Sequence, residues 1–207
     1  MERQQAIREL QALQGTDLHA KAEEYGVTIY SPSGNVNKGW AGHVCERHLG
    51  LPLNSSQSPN FGSWELKVVP IKQLRNGKWT YKETMAITMI DPVHVIANEF
   101  EQSHLLTKLK KFVLVVRKVG RHVDDPSYVY GVSPVDLDGD YLTQIKADYN
   151  LVRDCLMDPN RGFRELTGSM GVYVQPRTKG AGHGSVSRAF YARPSFLQRI
   201  VPIEEGN

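Results

Sequence analysis

Phe112-Val113-Leu114-Val115-Val116 is an uninterrupted apolar run with Lys110 and Lys111 before it and Arg117 and Lys118 after it. A half-exposed strand would alternate apolar and polar residues, so a short continuous run predicts a strand buried on both faces. Such a strand needs a packed layer on each side, and the chain offers helices for both. Ile7, Leu10 and Leu13, then Leu18, Ala22 and Tyr25, recur at helical spacing on either side of Gly15. They predict a helical hairpin, its second arm capped by Thr16-Asp17 and ended by Gly26. Lys38 to Leu49 predicts a third helix, with Trp40, Val44, Cys45 and Leu49 on its apolar side, and Asn54 to Pro59 a polar linker. Further helices are expected over Ile96 to Leu109, Asp138 to Met157 and Pro194 to Val201. Strands are expected at Trp64 to Val69, Thr80 to Ile90, Tyr128 to Val132 and Met170 to Val174, with Asn76-Gly77 forming a two-residue hairpin turn before the second. The expectation is an α/β (α+β) domain in which helices flank a mixed central sheet.

At 207 residues and 40% hydrophobic content the chain can bury a sizeable core as one domain. A formal charge of +3 argues only weakly for a polyanionic partner. The distribution says more: residues 161–199 hold six arginines and one lysine against Glu165 alone. Lys108, Lys110, Lys111, Arg117, Lys118 and Arg121 form an earlier cluster, in which Lys108, Lys110 and Lys111 read either as an ordinary solvated helix end or as phosphate-neutralising groups. Cys45 and Cys155 have no metal-ligand spacing and are expected to be buried, reduced thiols. The seven histidines show no metal spacing either, and His43, His48, His104 and His183 are read as structural or surface residues. With acids at Glu2 and Glu9, no apolar leader and no run near the roughly 20 residues of a membrane span, the expected location is the cytoplasm, with no membrane partner.

The chemistry-bearing stretch is Asn60-Phe61-Gly62-Ser63-Trp64-Glu65-Leu66-Lys67. Alternation along a strand sends Glu65 and Lys67 to one face and Leu66 and Val68 to the other. A carboxylate can hold a hard divalent cation while a neighbouring lysine orients or deprotonates an attacking water, which is the minimum apparatus of phosphodiester hydrolysis. An E-x-K pair taken alone is also what an ordinary half-buried strand carries.

More residues join it in order. Lys38-Gly39-Trp40-Ala41-Gly42-His43-Val44-Cys45-Glu46, then Pro59-Asn60-Phe61, then Glu65-Leu66-Lys67 resemble the MutH family of mismatch-repair nicking endonucleases and related type II restriction enzymes, within the PD-(D/E)xK nuclease class. The likeness runs on through Ser103-His104, Lys108-Leu109-Lys110, Gln175-Pro176-Arg177-Thr178-Lys179 and Arg188-Ala189-Phe190-Tyr191.

The resemblance implies a single domain over residues 1–207 with a restriction-endonuclease-like sheet, an N-terminal helical part to about residue 55 and a basic DNA-reading part from about residue 160. It implies that Glu65 binds metal and Lys67 is catalytic, with Glu46 beside them and Lys110 near the scissile phosphate. It places DNA contacts at Lys38, Lys108, Arg177, Lys179, Arg188 and Tyr191, with Arg177 as base reader in a late loop and Tyr191 as sensor of methylation. Asn60 stands where the family has its first metal-binding aspartate, about two residues closer to the glutamate than expected. It offers a neutral oxygen, either as an inactivating replacement or as the natural residue of a weak or silent nuclease. Thr178 replaces a proline of the reading loop, which departs from the family's GATC pattern. The implied function is Mg²⁺-dependent, sequence-specific cleavage of double-stranded DNA by a monomer or homodimer, with Mn²⁺ or Ca²⁺ able to substitute in binding. The alternatives are a methylation-sensing repair nickase with a MutL-like activator and a catalytically silent DNA-binding protein.

Overall fold

The computed structural model describes residues 1–51, 62–180 and 187–204. The expected Asn54 to Pro59 linker, Asn60 and His183 lie outside them. Helices α1 (Arg3–Gln11), α2 (Leu18–Glu24) and α3 (Trp40–His48) come first. Strands β1 (Glu65–Gln73), β2 (Trp79–Tyr81) and β3 (Met85–Met89) follow, then α4 (Pro92–Ala97) and α5 (His104–Leu109). The rest is β4 (Lys111–Lys118), β5 (Tyr128–Asp136), α6 (Gly139–Met157), β6 (Val174–Thr178), β7 (Arg188–Ala192) and α7 (Pro194–Ile200).

The apolar run lies in β4, in the middle of a four-stranded sheet ordered β2-β1-β4-β5. β1 and β4 are parallel, from Glu65 opposite Phe112 to Ile71 opposite Lys118, and the other pairings are antiparallel, so the sheet is mixed. Alternation then divides the core. Leu66, Val113 and Val115 pack with Leu10, Val44 and Trp64 against α1, α2 and α3. Ile71, Phe112, Leu114 and Val116 pack on the other side with Tyr149 of α6, Phe190 of β7 and Phe196 of α7. Arg3 pins α1 to the sheet: its guanidinium takes both oxygens of Asp136 at 2.8 and 2.7 Å and the carbonyls of Phe112 and Val135 at 2.9 and 3.0 Å. Asp17 does the same for α2, accepting from the backbone N–H of His19 at 3.1 Å and of Ser127 at 2.8 Å. Cys45 and Cys155 are buried and unbridged, and burial pushes the Cys45 thiol up to about 12.

Four expectations need correction. Thr80 to Ile90 is two strands in two sheets: β2 extends the four-stranded sheet, while β3 leaves it to pair with β7 in a three-stranded sheet ordered β3-β7-β6. The polar break Lys82-Glu83-Thr84 lets the chain change sheets. The turn before β2 closes a loop of Arg75, Asn76 and Gly77, with Leu74 N–H donating to Lys78 O at 2.8 Å and Gly77 at φ 85°. It is the longer hairpin type whose last residue needs a positive φ. Ile96 to Leu109 breaks into the end of α4, a 3₁₀ turn at Phe100–Gln102 and α5, because Ser103 caps a new helix by accepting from Leu106 N–H. The strand expected at Met170 begins only at Val174, because the residues before it form a turn held by side chains from elsewhere.

That turn is clasped from both sides. Asp148 of α6, 1% exposed, accepts from the N–H groups of Val172, Tyr173 and Val174 at 2.8, 2.7 and 2.8 Å. Arg193 donates through Nη2 to the carbonyls of Gly168, Met170 and Gly171 at 2.8, 3.1 and 3.0 Å. Gly171 sits between them at φ 76°, where an added Cβ would lie 1.9 Å from Val174 O. Asp148→Ala removes the acceptor of three backbone donors, and should cost about 3 kcal/mol of unfolding free energy in urea titrations. A loss below about 1 kcal/mol would mean that water takes over the carboxylate's place.

Candidate active site

Glu65 opens β1 and is only 3% exposed. Alternation turns it away from the Leu66 and Trp64 side, as expected, and Lys67 follows it on the same face. Lys67 Nζ donates to Glu65 Oε1 at 3.0 Å and to the carbonyl of Ile87 in β3 at 3.3 Å. Lys108 Nζ reaches the same Oε1 at 3.4 Å. A buried carboxylate requires such partners, because an uncompensated buried charge costs several kcal/mol, of order 3–5 when one member of a pair is removed. Burial pushes the Lys67 ammonium below its ordinary range; Glu65 opposes this, while Lys108 and Lys179 add to it. Glu46, in the last turn of α3, is pushed up by burial and by Glu65, and held back by Lys67 and Lys108. Two carboxylates and two lysines therefore feel one another in one place.

The two lysines singled out by the resemblance lie in different surroundings. On α5 the buried residues are Leu105, Lys108 and Leu109, spaced by three and four, so Lys108 shares the core face of the helix. Lys110 is the C-cap residue and is exposed, its carbonyl accepting from Leu137 N–H at 2.9 Å. The structure thus brings Lys108 to Glu65 and leaves Lys110 outside, and Lys108 is no part of a solvated face. Lys38 is exposed just ahead of α3, and Asn60 lies outside the described residues. Among the described residues there is no group of three or more His, Cys, Asp or Glu side chains arranged for a metal. Glu46 and Glu65 nonetheless fit a hard divalent cation by chemistry: both are oxygen donors, and the charge of each opposes that of the other.

A second cluster lies on the three-stranded sheet. The register pairs Gln175 with Tyr191, Arg177 with Ala189 and Thr178 with Arg188. Arg177 is therefore a strand residue and not a loop residue, sharing a face with Tyr191, and its Nη1 donates to Thr84 Oγ1 at 3.1 Å. Burial raises the Tyr191 hydroxyl, Arg177 lowers it and Glu83 raises it again, so Glu83 and Thr84 of the β2–β3 connection belong to this cluster. Nothing in the sequence signalled them. Arg188 is anchored, with Nε donating to Leu166 O at 3.2 Å and the guanidinium 5.8 Å from the Phe163 ring. Lys179, just past β6, adds its charge to the surroundings of Lys67, which joins the late basic segment to the carboxylates. Of the histidines read as structural, His48 bonds to Tyr25 Oη and Glu9 O, and His104 stacks on His94.

The model of the family described as DNA mismatch repair enzyme MutH matches residues 49–146, which take in Glu65, Lys67 and Lys108. Over this stretch the chain is similar to MutH. It is 24% identical over 205 residues to the type II restriction enzyme Sau3AI of Staphylococcus aureus, covering 91% of this chain and 40% of that enzyme. It is 26% identical over 216 residues to the DNA mismatch repair protein MutH of Vibrio cholerae serotype O1, covering 96% of this chain and 94% of that protein. MutH of Haemophilus influenzae is 24% identical over 96% of this chain. The restriction endonuclease MvaI, solved with cognate DNA, aligns with a TM-score of 0.39 and 11% identity over 88% of this chain and 94% of its own. Glu46, Arg177 and Tyr191 lie outside the MutH-matching segment.

The Lys108 assignment has a direct check. Lys108→Met should change the one-bond carboxyl shift of Glu65 in carbon-detected NMR and destabilise the fold, because it removes a charge partner of a buried carboxylate, while Lys110→Met should do neither. Equal effects of the two changes would return Lys108 to the solvated face.

Proposed function

We propose that this MutH-like chain is a Mg²⁺-dependent endonuclease that cuts double-stranded DNA at a specific sequence, in the manner of a type II restriction enzyme. The observation that carries the proposal is the shared Oε1 of Glu65, approached by two buried ammonium groups with Glu46 alongside. Glu65 and Glu46 would hold the cation, with Mn²⁺ or Ca²⁺ able to take its place in binding. When bound, the cation supplies charge neutralisation at phosphorus and a more acidic water. Lys67 orients the attacking water, and burial brings its amine nearer to the neutral form that can accept the proton. Lys108 fixes the Glu65 rotamer and adds positive potential facing the phosphate. Lys38, Arg177, Lys179, Arg188 and Tyr191 form the DNA-facing set, with Arg177 as the best base reader because its planar fork matches a guanine edge.

A second reading rests on the likeness to Vibrio cholerae MutH, 26% identical over 216 residues: a mismatch-repair nickase that needs a MutL-like activator. A catalytically silent DNA-binding protein is the reading that Asn60 favours. Asn60→Asp separates the silent reading from the other two: it should raise Mg²⁺-dependent cleavage of plasmid DNA by orders of magnitude, since a hard cation binds a carboxylate far better than a neutral amide. Lys67→Ala added to Asn60→Asp should then reduce cutting by about 100-fold or more with DNA affinity nearly intact. Loss of binding in step with cutting would demote Lys67 to a phosphate contact. Supercoiled substrate sorts the remaining two readings, since a restriction enzyme linearises it unaided and a nickase relaxes it only with its activator.

Arg177→Ala should weaken binding to the cognate duplex by roughly 1–3 kcal/mol and binding to scrambled DNA much less. Competition binding at matched salt reads the difference, and an equal loss on both duplexes would confine Arg177 to the backbone.

A further inference from the structure

Beside the reading strand the structure forms a polar concavity of about 440 Å³, lined by Arg164, Thr167, Gly168, Arg177, Thr178 and Arg188 together with Leu166. Three arginines and two threonines line it, and no acidic residue does among the described residues. We propose that this concavity is a phosphate subsite that grips the backbone of the bound duplex at a phosphodiester other than the scissile one. The inference rests on the DNA-cutting function proposed above and extends it to a site that does no chemistry.

Three observations build the site. Its rim is rigid before any ligand arrives: Arg193 holds the carbonyls of Gly168, Met170 and Gly171, and Asp148 holds the three N–H groups that follow. Preformed geometry lowers the ordering cost of binding. Arg188 is aimed by its bond to Leu166 O and by the Phe163 ring, so its fork has a fixed direction. Gly168 leaves room, since a Cβ there would come within 3.4 Å of Gln175 Oε1 and 3.8 Å of Arg177 Cγ and would narrow the mouth. Arg177 supplies the wall shared with the reading surface, its guanidinium turned to Thr84.

The concavity lies beside the carboxylates and not among them. Lys67 donates to Ile87 O, and Ile90 N–H donates to the backbone O of Arg188 at 2.9 Å, so the Arg188 backbone pairs three residues along the chain from the carbonyl that receives Lys67. At strand rise that separates the two backbone positions by roughly 10 Å, more than the distance between neighbouring phosphates on one strand. A cationic, acid-free concavity with hydroxyl donors and a planar arginine fork suits a phosphodiester better than a base edge, and charges of this kind carry affinity without sequence information.

The test uses the whole chain in EDTA, so that cleavage plays no part, with fluorescent duplexes of cognate and scrambled sequence titrated from about 50 to 200 mM salt. Arg164→Ala, at an exposed position, should weaken binding to both duplexes by the same factor and lower the log–log salt slope by about one. Gly168→Asp, which places a carboxylate among the arginines, should weaken both further. An unchanged slope and affinity for Arg164→Ala would overturn the proposal, and so would a loss confined to the cognate duplex, which would make Arg164 a base reader. A thermal shift of the unaltered protein by inorganic phosphate that Arg164→Ala abolishes, with the DNA slope unchanged, would assign the cavity to free phosphate and overturn it too. Because no step requires metal or cutting, failure of the nuclease reading shows separately, as inert plasmid in Mg²⁺.

Discussion

The parallel ladder between Glu65–Gln73 and Lys111–Lys118 determines where every charged group near the carboxylates can sit. Its register places Glu65 opposite Phe112, one residue into the strand that α5 feeds, so that Lys108 arrives at Glu65 from the turn just before. A slip of one residue would turn Leu66 and Val68 toward the lysines and bury Glu65 and Lys67 against α1, α2 and α3. The hydrophobic demand on both faces of β4 forbids it, because Val113 and Val115 serve one core while Phe112, Leu114 and Val116 serve the other. The polar site is thus kept in place by apolar packing on both faces of the neighbouring strand.

The cluster itself is a problem in buried charge. Two acids and two lysines offset one another, which keeps the fold tolerable, yet burial pushes Glu46 up and Lys67 down further than their opposite charges restore. A site strained in this sense gains from anything that adds positive charge at the carboxylates or negative charge at the lysines. A metal ion would do the first and a phosphate the second, so the proposed function would bring in the two kinds of group that relieve these electrostatics.

Much of this was written locally in the sequence and some of it was not. The two-faced burial of Phe112 to Val116, the shared face of Glu65 and Lys67, and the helical hairpin at the N-terminus depend on periodicity, which acts over a few residues and shows plainly. Lys108 was legible too: its spacing from Leu105 marks it as core-facing, a signal that outweighs the basic neighbours that made it look solvated. Thr80 to Ile90 was not legible, because either half alternates well enough and only the partner strand decides which sheet each joins. The same holds for Arg177, whose neighbours Pro176 and Gly180 suggest a loop until β7 pairs with them, and for Thr84, Glu83 and Asp148, whose partners lie far away in the chain.

The clasp on residues 168–174 has a consequence for how such a surface can diversify. Its backbone is fixed by Asp148 and Arg193, contributed by a distant helix and by the residue after β7, and hardly at all by its own side chains. The exposed Val172 can therefore be exchanged without disturbing the path of the chain beneath it. The arrangement separates shape from content, as an antibody framework does for its loops, and leaves this margin of the basic surface open to rewriting while the strand it borders stays put.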